Sequence, residues 1–127
     1  MTKTRSELRE KCMIILYQWD LLKDNDIDKI IEDNLEIDND FVRDIVYGVV
    51  THKNEIDELA NKYMNDWTID RIEKTGASIL RIAIFELKYT DTPEIVVINE
   101  AIELAKKYSD ENIKNIINAI LDKIIKE

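Results

Sequence analysis

Residues 80–87, Leu-Arg-Ile-Ala-Ile-Phe-Glu-Leu, constrain the fold of this chain more than any other stretch. The run is apolar around most of a helical circumference, and such a helix must be covered by other helices. It nevertheless keeps Arg81 and Glu86, and a charge on a buried helix is costly unless it is paired or has a task. The two are not one turn apart, so each must find its partner on another element. Glu100 and Glu103 are the expected partners of Arg81, and the N-terminal amides of a neighbouring helix those of Glu86. A second helix signature, Ile98-Asn99-Glu100-Ala101-Ile102-Glu103-Leu104-Ala105-Lys106, follows the only proline, Pro93.

The rest of the chain fits a helical setting. Two glycines and one proline in 127 residues leave little material for tight turns or hairpins. Hydrophobic residues make up 45%, enough for a core and too many for a disordered chain. No apolar run approaches the roughly 20 residues of a membrane span, and the polar N-terminus lacks the apolar stretch of a signal peptide. A single cysteine, Cys12, excludes an intrachain disulfide framework. The expectation is a soluble cytoplasmic protein, one domain over residues 1–127.

The net charge of −9 is unevenly spread. Residues 1–19 are net positive, through Lys3, Arg5, Arg9 and Lys11 against Glu7 and Glu10, whereas residues 20–66 carry fourteen acidic against five basic side chains. The whole-chain charge argues against nucleic acid, but its distribution leaves a basic end on an acidic body. An acidic body suits a basic protein partner.

Helix signals recur along the chain. Thr4 and Glu7 have capping-box spacing, and Leu8, Cys12, Ile15, Leu16, Trp19 and Leu22 form the apolar stripe of a first helix. Residues 23–26 read as a polar loop, and Ile27, Ile30, Ile31 and Leu35 mark a short second helix. Asn39 or its aspartate neighbours cap a long third helix running from Phe41 to Met64, with Gly48 allowing a close crossing or a bend. Thr68 caps a short helix with Ile69 and Ile72. The central helix covers about residues 74–89, Thr92 and Pro93 start the next as N-cap and first residue, and Ser109 or Asp110 starts the last. The reading is an all-α bundle of about seven helices. Asn99 and Asn118, each in an otherwise apolar helix, are expected to lock helix register through side-chain hydrogen bonds.

Enzyme chemistry finds little support. His52 is the only histidine, Cys12 lies on an apolar stripe, no Cys/His spacing suits zinc, and no glycine-rich loop could cradle a phosphate. Asp24-Asn25-Asp26-Ile27-Asp28 lacks the glycine and terminal glutamate of an EF-hand. A stronger pattern is the ladder Arg5, Arg9, Met13, Tyr17, repeating every four residues along the first helix. Two guanidiniums in line with an aromatic can hold phosphates and stack an unpaired base. The same spacing also describes a solvated helix edge in which Arg9 pairs with nearby carboxylates and Tyr17 borders the core, and spacing alone favours that alternative.

Taken together, these motifs resemble the bacterial transcription antitermination factor family NusB over essentially the whole chain. The resemblance rests on Arg5, Arg9, Cys12 and Leu16-Tyr17-Gln18-Trp19; on Phe41-Val42-Arg43-Asp44, Gly48-Val49, Ile56-Asp57, Trp67 and Arg71; and on the Leu80–Leu87 and Ile98–Lys106 blocks with Pro93, Asn118 and Leu121-Asp122. It implies two small helical subdomains, about residues 1–66 and 67–127, and a non-enzymatic role without cofactor or metal. It implies pairing with NusE, a small-subunit ribosomal protein, binding of boxA RNA in nascent ribosomal RNA, and help to RNA polymerase in reading through terminators. Lys3, Arg5 and Arg9 fall in the family's arginine-rich RNA-binding end, Asn118 matches an asparagine near the RNA, and Tyr17 matches an aromatic near the partner surface. A homodimer through surfaces that the ribosomal partner covers is a further implication.

Some positions depart from the family pattern. Ser6 and Glu7 interrupt the arginine cluster, and Asn115-Ile116-Ile117-Asn118-Ala119 stands where the family has lysine, phenylalanine, valine or isoleucine, asparagine and glycine. Gly76 occupies a commonly acidic position. A lost aromatic removes a stacking surface worth about 1–3 kcal/mol per base. The departures imply weaker or altered boxA binding, or, as the alternative, a protein-interaction module of the same fold that has lost RNA binding.

Overall fold

The computed structural model describes residues 3–22, 26–65 and 67–127, and among these it contains seven α-helices, one 3-10 turn and no strand. The helices are α1 (Arg5–Leu21), α2 (Ile27–Asn34), α3 (Asp40–Thr51), α4 (Lys53–Lys62), α5 (Lys74–Tyr89), α6 (Glu94–Tyr108) and α7 (Glu111–Lys126). Lys23, Asp24 and Asn25 of the expected polar loop, and Asp66 at the expected subdomain boundary, lie outside the described residues.

Side-chain caps set the helix starts. The Glu7 N–H donates to Thr4 Oγ1 and the Thr4 N–H donates back to Glu7 Oε1, both at 3.1 Å, which closes the capping box. Asp26, Asn39 and Asp110 cap α2, α3 and α7 without the reciprocal bond, each side chain accepting one backbone N–H. Glu73 caps α5 by accepting from the Thr75 and Gly76 amides. Two starts differ from expectation. Pro93 is itself the N-cap of α6, so the helix begins one residue later, at Glu94. Thr68 makes no side-chain cap, and the segment after it is only a 3-10 turn, Ile69–Arg71, whose Ile69 N–H donates to Asn61 Oδ1 at 2.8 Å.

The centre of the bundle is α5, buried without interruption from Gly76 to Glu86. Helices α1, α3, α4, α6 and α7 all pack on it, so it joins the two halves of the chain. Ile79, Leu80 and Ile84 are almost wholly removed from water, and each such side chain contributes about 1.5–3 kcal/mol. Its two charges find partners other than those expected. Arg81 donates from Nε and Nη2 to both carboxylate oxygens of Asp57 on α4, at 2.8 and 3.1 Å, and from Nη1 to Asp20 on α1 at 3.3 Å. Glu100 and Glu103 lie on α6, and α5 instead turns Arg81 towards α1 and α4. Glu86 takes a guanidinium, that of Arg9, in place of helix amides. Removing one partner from such buried pairs costs about 3–5 kcal/mol.

The long third helix is divided at His52, which sits at φ −102°, ψ 17° between α3 and α4. Its N–H still donates to the Gly48 carbonyl at 3.0 Å, and its own carbonyl accepts from the Ile56 N–H at 2.9 Å, so backbone pairing runs across the break. The imidazole stacks on Tyr89 with centroids 4.1 Å apart, which holds the corner against the end of α5. Asn99 and Asn118 are both exposed, not register locks. Asn34 takes that role, donating to Gln18 Oε1 at 2.8 Å and so tying α2 to α1.

Gly48 lies where α3 crosses α5. A Cβ there would stand 2.2 Å from both Cε1 and Cζ of Phe85, whose ring is held by stacking on Tyr89. Alanine normally gains about 1 kcal/mol over glycine inside a helix; here the clash outweighs it. The Gly48→Ala variant is expected to lose about 1–3 kcal/mol, read as a lower urea midpoint at unchanged slope, and Phe85→Leu in the same chain should recover part of the loss.

Candidate nucleic-acid interface

The basic end of the chain is the first turn of α1, and the structure separates its cations into two kinds. Lys3 and Arg5 are exposed. Arg9, one turn on, is only 5% exposed, and Met13, the next rung, only 2%. The ladder read from the sequence is therefore not one solvent-facing row; its middle is core, and Arg9 follows the alternative in which it pairs with a carboxylate. Its Nε donates to both oxygens of Glu86, at 2.9 and 3.2 Å, and its Nη2 to Oε1 at 2.8 Å. Burial works against the charge on Arg9, but the hydrogen bonds and charge of Glu86 outweigh it and raise its pKa above the usual guanidinium value.

Arg5 is held differently. Its guanidinium carbon lies 4.1 Å from the centroid of the Phe41 ring on α3, and that of Arg9 lies 5.3 Å from the same ring. Cation–π contacts of this kind contribute about 0.5–1 kcal/mol at exposed positions. Arg5, Phe41 and Lys3 border a hollow of about 440 Å³ together with Asp38, Asn39 and Asp40. Asp38 is ion-paired with Arg43, which holds its carboxyl below the ordinary carboxylate range. Lys3 also borders a neighbouring hollow of about 680 Å³ with Lys11 and the exposed Ile37.

The residues that interrupt the arginine cluster have local tasks. Ser6 donates its hydroxyl to Glu100 Oε1 at 2.7 Å, and Glu7 completes the capping box, where the bonds to Thr4 lower its pKa. Glu100 thus belongs to α1, not to Arg81. One turn further, Glu10 accepts from Lys107 Nζ at 2.9 Å and from the Tyr108 hydroxyl, pinning α1 to the end of α6. Phe41 is the member of this cluster that sequence reading missed. It is the first apolar residue of the third helix, two positions after the Asn39 cap, and it is half-exposed.

The other two candidates stand apart from this cluster. Asn118 is exposed on α7, which packs on α5 and α6, and it borders neither hollow beside Lys3. Tyr17 is half-buried towards the far end of α1, one turn before Leu21, which is 51% exposed. Eight exposed carboxylates, Asp26, Asp28, Glu32, Asp33, Glu36, Asp38, Asp40 and Asp44, cover α2 and the start of α3. Among the described residues, no group of three or more His, Cys, Asp or Glu side chains could hold a metal ion, and no helix is long and apolar enough to cross a membrane. Burial pushes the Cys12 thiol far up, away from reactivity.

Comparison with known proteins agrees with this architecture. A family model described as the NusB family matches residues 6–126. A transcription antitermination protein NusB from Staphylococcus aureus is 40% identical over 97% of this chain and 99% of its own length. Among solved structures, T. maritima NusB superposes with a TM-score of 0.93 at 33% identity, covering 100% of this chain and 94% of that one. A chain in a crystal structure of the antitermination factors NusB and NusE with double-stranded RNA superposes at 0.86 and 28% identity, covering 99% and 98%.

The pin between α1 and α6 gives a test of this end of the molecule. The bonds from Tyr108 and Lys107 hold the Glu10 carboxyl below its ordinary pKa of 4.5. A depressed pKa in the folded state adds stability that is complete above about pH 4.5 and lost as pH falls through the folded value. Wild type should therefore melt above Glu10→Gln at neutral pH, and the gap in Tm should close as thermal melts are repeated below pH 4.5.

Proposed function

The chain belongs to the NusB family, and on that premise we propose that it is a transcription antitermination factor. It pairs with the ribosomal protein NusE, binds boxA RNA of nascent ribosomal transcripts, and acts with RNA polymerase to promote read-through. The observation that carries the reading is the pair of exposed cations, Lys3 and Arg5, at a helix start whose capping box is complete without them. Both are exposed to meet phosphate, and the aromatic ring beneath Arg5 supports a guanidinium that can also stack on an unpaired base. Asn118 contributes a neutral hydrogen-bonding contact from α7. The structural relative solved with NusE and RNA supports both partnerships.

The acidic face of α2 and α3 supports a basic protein partner and repels RNA from that side. Tyr17 and the exposed Leu21 offer an aromatic and an aliphatic contact for the same partner. The role is non-catalytic and cytoplasmic, with subdomains of about residues 1–66 and 67–127 meeting at α5, and a homodimer forms where the partner is absent. A second reading, a protein-interaction module with weakened RNA binding, draws on the loss of lysine, phenylalanine and glycine around Asn118.

A boxA titration at two salt concentrations, with and without the ribosomal partner, decides between them. Antitermination predicts a salt-sensitive gain in RNA affinity when the partner is added. Alanine at Lys3 or Arg5 should reduce the salt dependence by about 0.7 per lost phosphate contact on a single strand. A folded protein that binds the partner yet shows no RNA gain at low salt sinks the first reading and favours the second.

A further inference from the structure

Arg9 is tied to more elements than any other side chain near the RNA-binding end. Its guanidinium bonds Glu86 of α5 at 2.8–3.2 Å, lies 3.9 Å from Glu100 of α6, and sits 5.3 Å from the Phe41 ring of α3. Glu86, 2% exposed, is held in turn by Thr92, whose hydroxyl donates to Oε1 at 3.3 Å. Two of these partners also touch the exposed first turn of α1: Phe41 carries the Arg5 guanidinium, and Glu100 accepts from Ser6. To reach a phosphate, Arg9 would have to abandon a buried carboxylate and leave it unpaired, which is strongly unfavourable.

We propose that Arg9 is a positioning residue, which sets the RNA-binding end through Glu86, Phe41 and Glu100 and makes no contact with RNA itself. The proposal rests on the RNA-binding reading above. Its physical content is preorganisation: Arg5 stacked on a ring that Arg9 braces loses less freedom on meeting RNA. Arginine suits the site because its planar fork bonds both Glu86 oxygens from Nε and Nη2 while Nη1 faces Glu100.

The test follows boxA affinity against salt for wild type, Arg5→Ala, Arg9→Lys, Glu86→Gln and Phe41→Leu, each checked for folding by thermal melting. Arg5→Ala should weaken binding and flatten the salt dependence by about 0.7. Arg9→Lys should weaken binding about tenfold with the salt dependence unchanged, although the charge is kept. Glu86→Gln removes a negative charge, so a purely electrostatic role would tighten binding; positioning requires that it weaken. Phe41→Leu is half-exposed and neutral, and should fold whatever happens to the buried pair. It too should weaken binding at unchanged salt dependence. Wild-type affinity in Arg9→Lys or Phe41→Leu, a flattened salt dependence in Arg9→Lys, or tighter binding by Glu86→Gln would each overturn the proposal. An arm without RNA keeps the two readings apart. In NMR of the free protein, the Arg5 Nε–H proton should be shifted upfield by the Phe41 ring and lose that shift in Arg9→Lys. If wild type binds no boxA, the functional reading fails, and persistence of the shift in Arg9→Lys would still overturn the positioning role.

Discussion

The bundle depends on α5 carrying two opposite charges into a largely apolar interior. Arg81 is held by Asp57 and Asp20, and Glu86 by Arg9, so both charges draw α1 onto α5, one near each end of their contact. An apolar seam alone would let α1 slide or rotate at little cost. Two fixed ion pairs of opposite polarity allow one antiparallel alignment and oppose the reversed one, since turning α1 round would set Arg9 against Arg81 and Asp20 against Glu86. Stability comes mainly from the apolar surface, while the charges supply direction and register. Buried ion pairs are better suited to that role than to raising stability.

That alignment reaches the exposed end of the molecule. The side chains that fix α1 are followed, one turn towards its N-terminus, by Arg5 and Ser6, which rest on Phe41 and Glu100. The start of α1 is thus a continuation of the core and not a loose appendage. Residues that look like interruptions of an arginine cluster, Ser6 and Glu7, are the ones that fasten its helix start.

Much of this architecture was legible before any coordinates. The capping box at Thr4, the bounds of α5, the close crossing at Gly48 and the burial of Cys12 all follow from local spacing and side-chain chemistry. What could not be read was which carboxylate meets which guanidinium. Arg81 had Glu100 and Glu103 as near candidates, but its partners lie 24 and 61 residues away, and such choices depend on the rotation of each helix about its axis. The break at His52 was hidden for a related reason: apolar periodicity continues through it, and its stack on Tyr89 joins residues 37 positions apart that no local pattern brings together. At the candidate site, the helical repeat placed Arg5, Arg9 and Tyr17 on one side of α1 but could not tell which of them faces water. Neither repeat nor composition could bring Phe41 beneath Arg5.

The uneven charge has a consequence for encounter, before any contact forms. Carboxylates cover α2 and the start of α3, and two of them, Asp38 and Asp40, share a hollow with the exposed cations Lys3 and Arg5. The two signs therefore meet at one border, where the potential changes over a short distance. A polyanion is attracted by the cations and repelled just beyond them, while a cationic protein feels the reverse. Two partners of opposite sign can therefore approach one small domain side by side, each lowering across the shared border the repulsion that the other meets.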